Sequence, residues 1–164
     1  MRPALANFLR NPPSFSVLKG LPKPPKVAQV QTDGSFTSFS RTAVLLTTTS
    51  SDDYTLRSTY FDHMNSTQSE WCSILDGILF SKKKDQGSIQ LENDCLGVVQ
   101  ALLRNKPPRD ELLAYFHTSI YKELKELEHF GIRWIPREMN KADELFHSEK
   151  VKPASPRTPV PPTL

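Results

Sequence analysis

The chain predicts an α/β domain in which helices pack on a mixed sheet. Three observations carry this: β-branched runs come first, short apolar strands then alternate with helix-period segments, and prolines gather at the two ends. At 164 residues, 37% of them hydrophobic, the chain suits one core of ordinary size. Residues 27–147 make that domain. Residues 1–26 read as a flexible, Pro-rich basic arm and residues 148–164 as a disordered Pro-rich tail, because proline fixes φ and removes a backbone donor. Extended segments of this kind suit a protein partner. The acid-free arm with Arg2 and Arg10 also has the composition of an organelle-targeting segment, although its prolines spoil an amphipathic helix.

Val27–Thr32 is the first strand, ended by the turn pair Asp33-Gly34. Thr42–Thr49 and Tyr54–Phe61 follow, β-branched and bounded by Ser/Asp clusters as hairpin strands are. From Thr67 the period turns helical: Trp71, Ile74, Leu75, Ile78 and Leu79 make one apolar stripe. Ile89 and Leu91 alternate in a strand ending at Asn93-Asp94, and Leu96, Val98, Val99, Leu102 and Leu103 continue as a helix broken by Asn105–Pro108. Asp110 opens a longer helix through Leu113, Phe116, Ile120, Leu124 and Leu127, with Gly131 as its stop. Ile132 and Trp134 form a last strand, and Asn140 caps a final helix through Phe146.

Composition excludes several classes. No run of 18 apolar residues exists, so no helix of this chain reads as a membrane span. Cys72 and Cys95 are too few for a disulfide framework and lie in no CxxC pair, which suggests reduced thiols and an intracellular setting, cytoplasm or nucleus. Residues 27–147 carry 13 Lys/Arg against 17 Asp/Glu, a balance of −4, while the ends hold the other 8 basic residues against Glu149 alone. An acidic body does not grip nucleic acid by bulk charge.

Four acids stand where an α/β sheet presents its active edge: Asp33 after the first strand, Glu70 early in the first helix, Asp94 after the fourth strand, and Asp143 in the first turn of the last helix. Singly, each has an ordinary account, as a turn, a cap or a complement to a helix dipole. Glu70 is less ordinary, about 40° from Ile74 on the helical wheel at the rim of the buried stripe. Together the four repel unless cations sit between them. Oxygen ligands, with His63, His117, His129 and His147 at no zinc spacing, select magnesium, with manganese as an alternative. Two such ions about 4 Å apart can activate a water and stabilise the leaving oxygen of a phosphodiester.

Thr32-Asp33-Gly34-Ser35 after a strand, Ser66-Thr67-Gln68-Ser69-Glu70 opening a helix, Glu92-Asn93-Asp94 at a strand end, and the run Trp134 to Leu145 containing Asn140-Lys141-Ala142-Asp143 together resemble ribonuclease H of type 1 over residues 27–147. The resemblance implies a five-stranded mixed sheet with helices packed on both faces. It also implies endonucleolytic cleavage of the RNA strand of an RNA–DNA hybrid with two Mg2+ ions. Asp33 and Asp94 would hold the metals, Glu70 the ion near the leaving side, and Asp143 the ion that activates water. Asn65, Ser66 and Thr67 fall where the family contacts RNA 2′-hydroxyls.

Three departures stand out. No histidine lies between Trp134 and Asp143, the Asn105–Arg109 connection leaves no room for a basic protrusion, and the body is acidic. The chain thus resembles the handle-less subgroup, with Lys106 and Arg109 as substitute phosphate contacts. Lys82-Lys83-Lys84 is a further basic candidate, or simply a solvated charge run; Trp71 and Trp134 read as core. Rival readings are an RNase H-fold 3′–5′ exonuclease, against which Ser35 stands in place of the usual second acid, and a catalytically weak or inactive module that binds nucleic acid or protein.

Overall fold

The computed structural model describes residues 27–60 and 64–147; the arm 1–26 and the tail 148–164 lie outside the described residues. Five strands are present: β1 (Ala28–Phe36), β2 (Ser40–Thr47), β3 (Asp53–Tyr60), β4 (Ser88–Asn93) and β5 (His129–Trp134). The helices are α1 (Ser66–Lys83), α2 (Leu96–Arg104) and α3 (Glu111–Leu124), followed by short 3-10 segments at Arg137–Met139 and Lys141–His147. The sheet order is β3-β2-β1-β4-β5. Pairing is antiparallel within β1–β2–β3 and parallel across β1–β4 and β4–β5. The sheet is therefore mixed, as the order of strand and helix patterns predicts.

Alternation sorts the sheet into two unlike faces. Ala28, Val30, Val44, Leu46, Ile89, Leu91, Phe130 and Ile132 share one face and enter a single core with Trp71, Ile74, Ile78, Phe116 and Ile120 from the helices. The other face presents Gln29, Gln31, Asp33, Arg41, Arg57, Glu92 and Arg133, and the segment Lys141–His147 packs on β1 and β2 there. Arg57 Nη1 donates to the Leu145 carbonyl at 2.8 Å, and the Arg41 guanidinium lies 5.0 Å from the Phe146 ring centre. Helical segments thus cover both faces.

Four expectations need correction. Asp33-Gly34 is no turn: β1 runs on to Phe36, with Asp33 opposite Ala43 and Gly34 opposite Thr42. Glycine is required because α1 lies against the strand; a Cβ at Gly34 would stand 2.3 Å from the Ser69 carbonyl carbon. Secondly, α3 ends at Leu124, and Gly131 sits inside β5 opposite Gln90. What stops the helix is pairing with the sheet, where Glu128 N–H donates to the Gly87 carbonyl at 2.8 Å. Leu127 stays in the core from outside the helix. Thirdly, the last helix is 3-10 rather than α. Finally, Leu79 is 43% exposed and leaves the apolar stripe, whereas every residue from Ser69 to Ile78 is buried between the sheet and α3.

Candidate metal centre

Close approach of α1 to β1 builds the centre. Gly34 on the strand meets the backbone of Ser69 and Glu70, and Gly77 on the helix meets Thr32 and Val30. With no side chain at either crossing, the helix rests directly on the strand. That contact brings Glu70, near the start of α1, beside Asp33. Gly34 N–H donates to Glu70 Oε1 and fixes the carboxylate. The start of α1 is itself fixed by a capping box: Asn65 Oδ1 accepts from Gln68 N–H at 2.7 Å, and Asn65 N–H donates to Gln68 Oε1 at 2.9 Å.

Asp94 follows the last residue of β4, where β1 and β4 part after the Thr32–Asn93 pair. Two asparagines fill that parting. Asn93 Nδ2 donates to the Thr32 carbonyl (3.1 Å) and Oγ1 (3.0 Å), and Asn140 Nδ2 donates to the same carbonyl (2.9 Å) and to Asp94 Oδ2 (3.2 Å). The Trp134 indole N–H holds the Asp94 carbonyl at 3.0 Å. This is the crevice beyond the carboxyl ends of neighbouring strands where open α/β sheets place their sites.

Asp33, Glu70 and Asp94 converge, with one carboxylate oxygen from each lying within 4.8 Å of the others. Among the described residues none of the three takes part in an ion pair. Burial, then repulsion by Glu70 and Asp94, pushes the Asp33 carboxyl up to about 10. Glu70 is raised to about 7, by burial against the opposing effect of the Gly34 N–H. Asp94 is also raised, by burial first, with Asp143 adding to the rise and Asn140 and the Arg137 charge pulling the other way. As neighbours in a crowded site, the three cannot all carry charge without a cation. Three oxygen donors, two buried and Asp94 half-buried, with no sulfur or imidazole among them fit a hard divalent ion such as Mg2+ or Mn2+.

Asp143 stands apart from the tight trio, on the rim. Its carboxylate reaches Asp33 and faces Arg137 Nη2 and His147 Nε2, each at 3.9 Å. The segment carrying it is fastened through Lys141 N–H, which donates to Gln31 Oε1 at 2.9 Å. Asn65, Ser66 and Thr67 are exposed beside this centre at the head of α1. Lys106 and Arg109 are exposed on the loop before α3, and Gln68 Nε2 donates to Asp110 at 3.2 Å, which holds that loop next to the same helix start.

Lys82 and Lys84, by contrast, are engaged elsewhere. Lys82 pairs with Glu123 and Glu126, and Lys84 lies 4.5 Å from the Tyr54 ring centre. Both sit at the far end of α1, about 18 Å (Lys82) and about 21 Å (Lys84) along the helix axis from Glu70. Trp71 is buried as expected, while Trp134 is half-buried and serves the Asp94 backbone.

Sequence reasoning missed Asn93, Asn140, Arg137 and His147 as neighbours of the acids. His147 could have been found from its i, i+4 spacing to Asp143; Asn140 reads locally as a cap, and only the folded chain puts its amide on Asp94.

The model of the reverse transcriptase-like family matches residues 31–147. Among solved structures, the RNase H1 of the halophilic archaeon Halobacterium salinarum is similar over 72% of this chain and 92% of its own, at 17% identity and a TM-score of 0.66. The N-terminal RNase H domain of a Mycobacterium tuberculosis protein, solved as a fusion with maltose-binding protein, gives 14% identity, coverage of 72% and 94%, and a TM-score of 0.65. LC11-RNase H1, solved in complex with an RNA/DNA hybrid, gives 16% identity, coverage of 72% and 92%, and a TM-score of 0.61. No curated protein sequence matches the chain. Among the described residues no helix is long and apolar enough to cross a membrane.

Proposed function

The chain belongs to the reverse transcriptase-like family and has an RNase H-like fold, and on that premise we propose that it is an endoribonuclease that cuts the RNA strand of RNA–DNA hybrids. The observation that carries the proposal is the carboxylate trio, without an ion pair among the described residues and assembled from three separate segments at one strand parting. Asp33, Glu70 and Asp94, with Asp143 from the rim, would hold two Mg2+ ions. Bound there, the ions would supply Lewis acidity toward the attacking water and the leaving oxygen of the phosphodiester.

The chain's own groups orient that site. Gly34 N–H holds one oxygen of Glu70, and Asn140 holds one oxygen of Asp94, so neither carboxylate needs to reorganise when the site fills. Ser66 and Thr67 offer exposed hydroxyls, and Asn65 offers its Nδ2 donors, toward the 2′-hydroxyls that mark an RNA strand. The cap already engages the Asn65 Oδ1. Lys106 and Arg109, beside the same helix start, would take phosphates.

A labelled RNA–DNA hybrid, with single-stranded RNA, duplex RNA and duplex DNA as controls, tests the reading. Cleavage of the hybrid's RNA strand alone, dependent on magnesium or manganese, is expected. A chain that binds the hybrid and leaves it uncut in either metal is a binding module instead. Release of single nucleotides from a 3′ end would make it the exonuclease.

A further inference from the structure

Asp33 stands in β1, Glu70 in α1 and Asp94 directly after β4, whereas Asp143 stands on a 3-10 segment of seven residues. From Arg137 to His147 only Asn140 and Ala142 are buried, so packing in a core does little to place that segment. Side chains from the polar face of the sheet hold it instead. Gln31 on β1 grips the main chain before Asp143: its Oε1 accepts from Lys141 N–H at 2.9 Å, and its Nε2 donates to the Met139 carbonyl at 3.3 Å. Arg57 on β3 grips the main chain after it, with Nη1 donating to the Leu145 carbonyl at 2.8 Å. The Arg41 guanidinium on β2 lies 5.0 Å from the centre of the Phe146 ring. Three strands therefore hold the segment on both sides of Asp143.

We infer that Gln31, Arg41 and Arg57 are positioning residues that set the Asp143 carboxylate and thereby how tightly the site holds divalent metal. The inference rests on the proposed function and names what controls its fourth acid. The three act through the main chain around Asp143, not by touching the ion. Arg41 and Arg57 share one face of the sheet, since Ala43 is opposite Arg57 and Arg41 opposite Thr59. Burial, and after it the Arg41 charge, lower the Arg57 guanidinium, so the two cations are close enough to oppose one another. A pair that repels is a poor way to stabilise a sheet. It is well suited to holding a carbonyl and a ring from a segment with little core of its own, through a charge-assisted hydrogen bond and a cation–π contact. Groups that orient a metal ligand from behind typically govern metal affinity about tenfold or more.

The test is magnesium binding to the full chain by isothermal titration calorimetry, with hybrid cleavage followed separately. Arg57→Met should weaken magnesium affinity about tenfold. Arg57→Lys keeps a charged donor and should recover most of that loss. In cleavage, the magnesium needed for half-maximal rate should rise by the same factor in Arg57→Met, while KM for the hybrid stays at the parent value. Asp143→Asn supplies the deciding comparison. Once that carboxylate is gone, adding Arg57→Met should lower metal affinity no further, because both changes act through one group. An arginine with a merely structural role would add its loss to that of Asp143→Asn. Should Arg57→Met fail to fold, Arg41→Met enters the same comparison, with a smaller loss expected.

Parent-like affinity in the arginine variants, or losses that add in the double variant, overturn the inference even if the chain cuts hybrids. A chain that shows these metal dependences and cuts no hybrid keeps the positioning role and overturns the nuclease reading. A chain that takes up no magnesium overturns both.

Discussion

Glu92 and Asp94 leave the same end of β4 two residues apart, yet the fold treats them in opposite ways. Glu92 is 3% exposed and sits in a finished arrangement: Arg133 forks onto it from β5, and Gln31 Nε2 donates from β1 at 2.9 Å. Two further groups follow that rule. Asp76 takes the Thr42 hydroxyl at 2.6 Å and that of Tyr60, and Lys82 bridges Glu123 and Glu126. Asp94, with Asp33 and Glu70, breaks it, since three acids are pressed together and among the described residues none of them takes part in an ion pair. A fold able to neutralise Glu92 a few ångströms away has left this trio open. On the proposed function the balancing charge would come from outside the chain, and a hard cation would supply it.

Substitutions on either side of this contrast should separate a working site from a structural one. The largest effect is expected at Asp94→Asn, which should lower magnesium-dependent hybrid cleavage at least about a thousandfold, the scale of transition-state charge stabilisation by a metal. Without metal the same variant should melt no lower than the parent, and even higher, because one source of repulsion is gone. Loss of metal-free stability would mean that Asp94 is structural. Arg133→Met inverts the pattern. It strands a buried Glu92 and should destabilise the fold by about 3 kcal/mol in chemical denaturation, with magnesium giving no specific rescue.

Next in size is the response to metal and pH. The folded-state carboxyls of Asp33 and Glu70 lie above their unfolded values of 3.8 and 4.5, so the folded chain holds protons that the unfolded chain releases. Their contribution to metal-free stability is complete below the unfolded values and is lost as pH rises through about 7 and then about 10. Magnesium should restore it at the alkaline side, by about 2.7 kcal/mol at a hundredfold excess over its dissociation constant, and give little at acid pH where protons compete. Differential scanning calorimetry with and without chelator reads both effects, and a metal-induced shift independent of pH would contradict them. The smallest effect belongs to Lys82→Met, which removes the partly exposed bridge and should change stability by less than about 1 kcal/mol, without touching cleavage.

Much of this was legible in local pattern. The order of strands and helices follows from periodicity, and the segments carrying Asp33, Glu70, Asp94 and Asp143 were recognisable by their neighbours. Element ends were less legible. Asp33-Gly34 has the composition of a turn and is strand, because the reason for Gly34 is a helix backbone that arrives from more than thirty residues away. Gly131 has the composition of a helix stop and is strand as well, since sheet pairing at Gly87 ended the helix earlier.

Residue types and their spacing by themselves determined an α/β domain with acids on or just after strands and at the starts of helical segments, because propensity, period and oxygen-ligand chemistry are properties of short segments. Which acids are neutralised was decided by tertiary structure alone. Glu92 stands between Gln31 and Arg133 through the register of β1, β4 and β5, whereas Asp94, one step past the parting of β1 and β4, meets Asp33 and Glu70 instead. Register joins residues about forty to sixty positions apart, and the electrostatic environment of a carboxylate is set by those distant neighbours rather than by the sequence beside it.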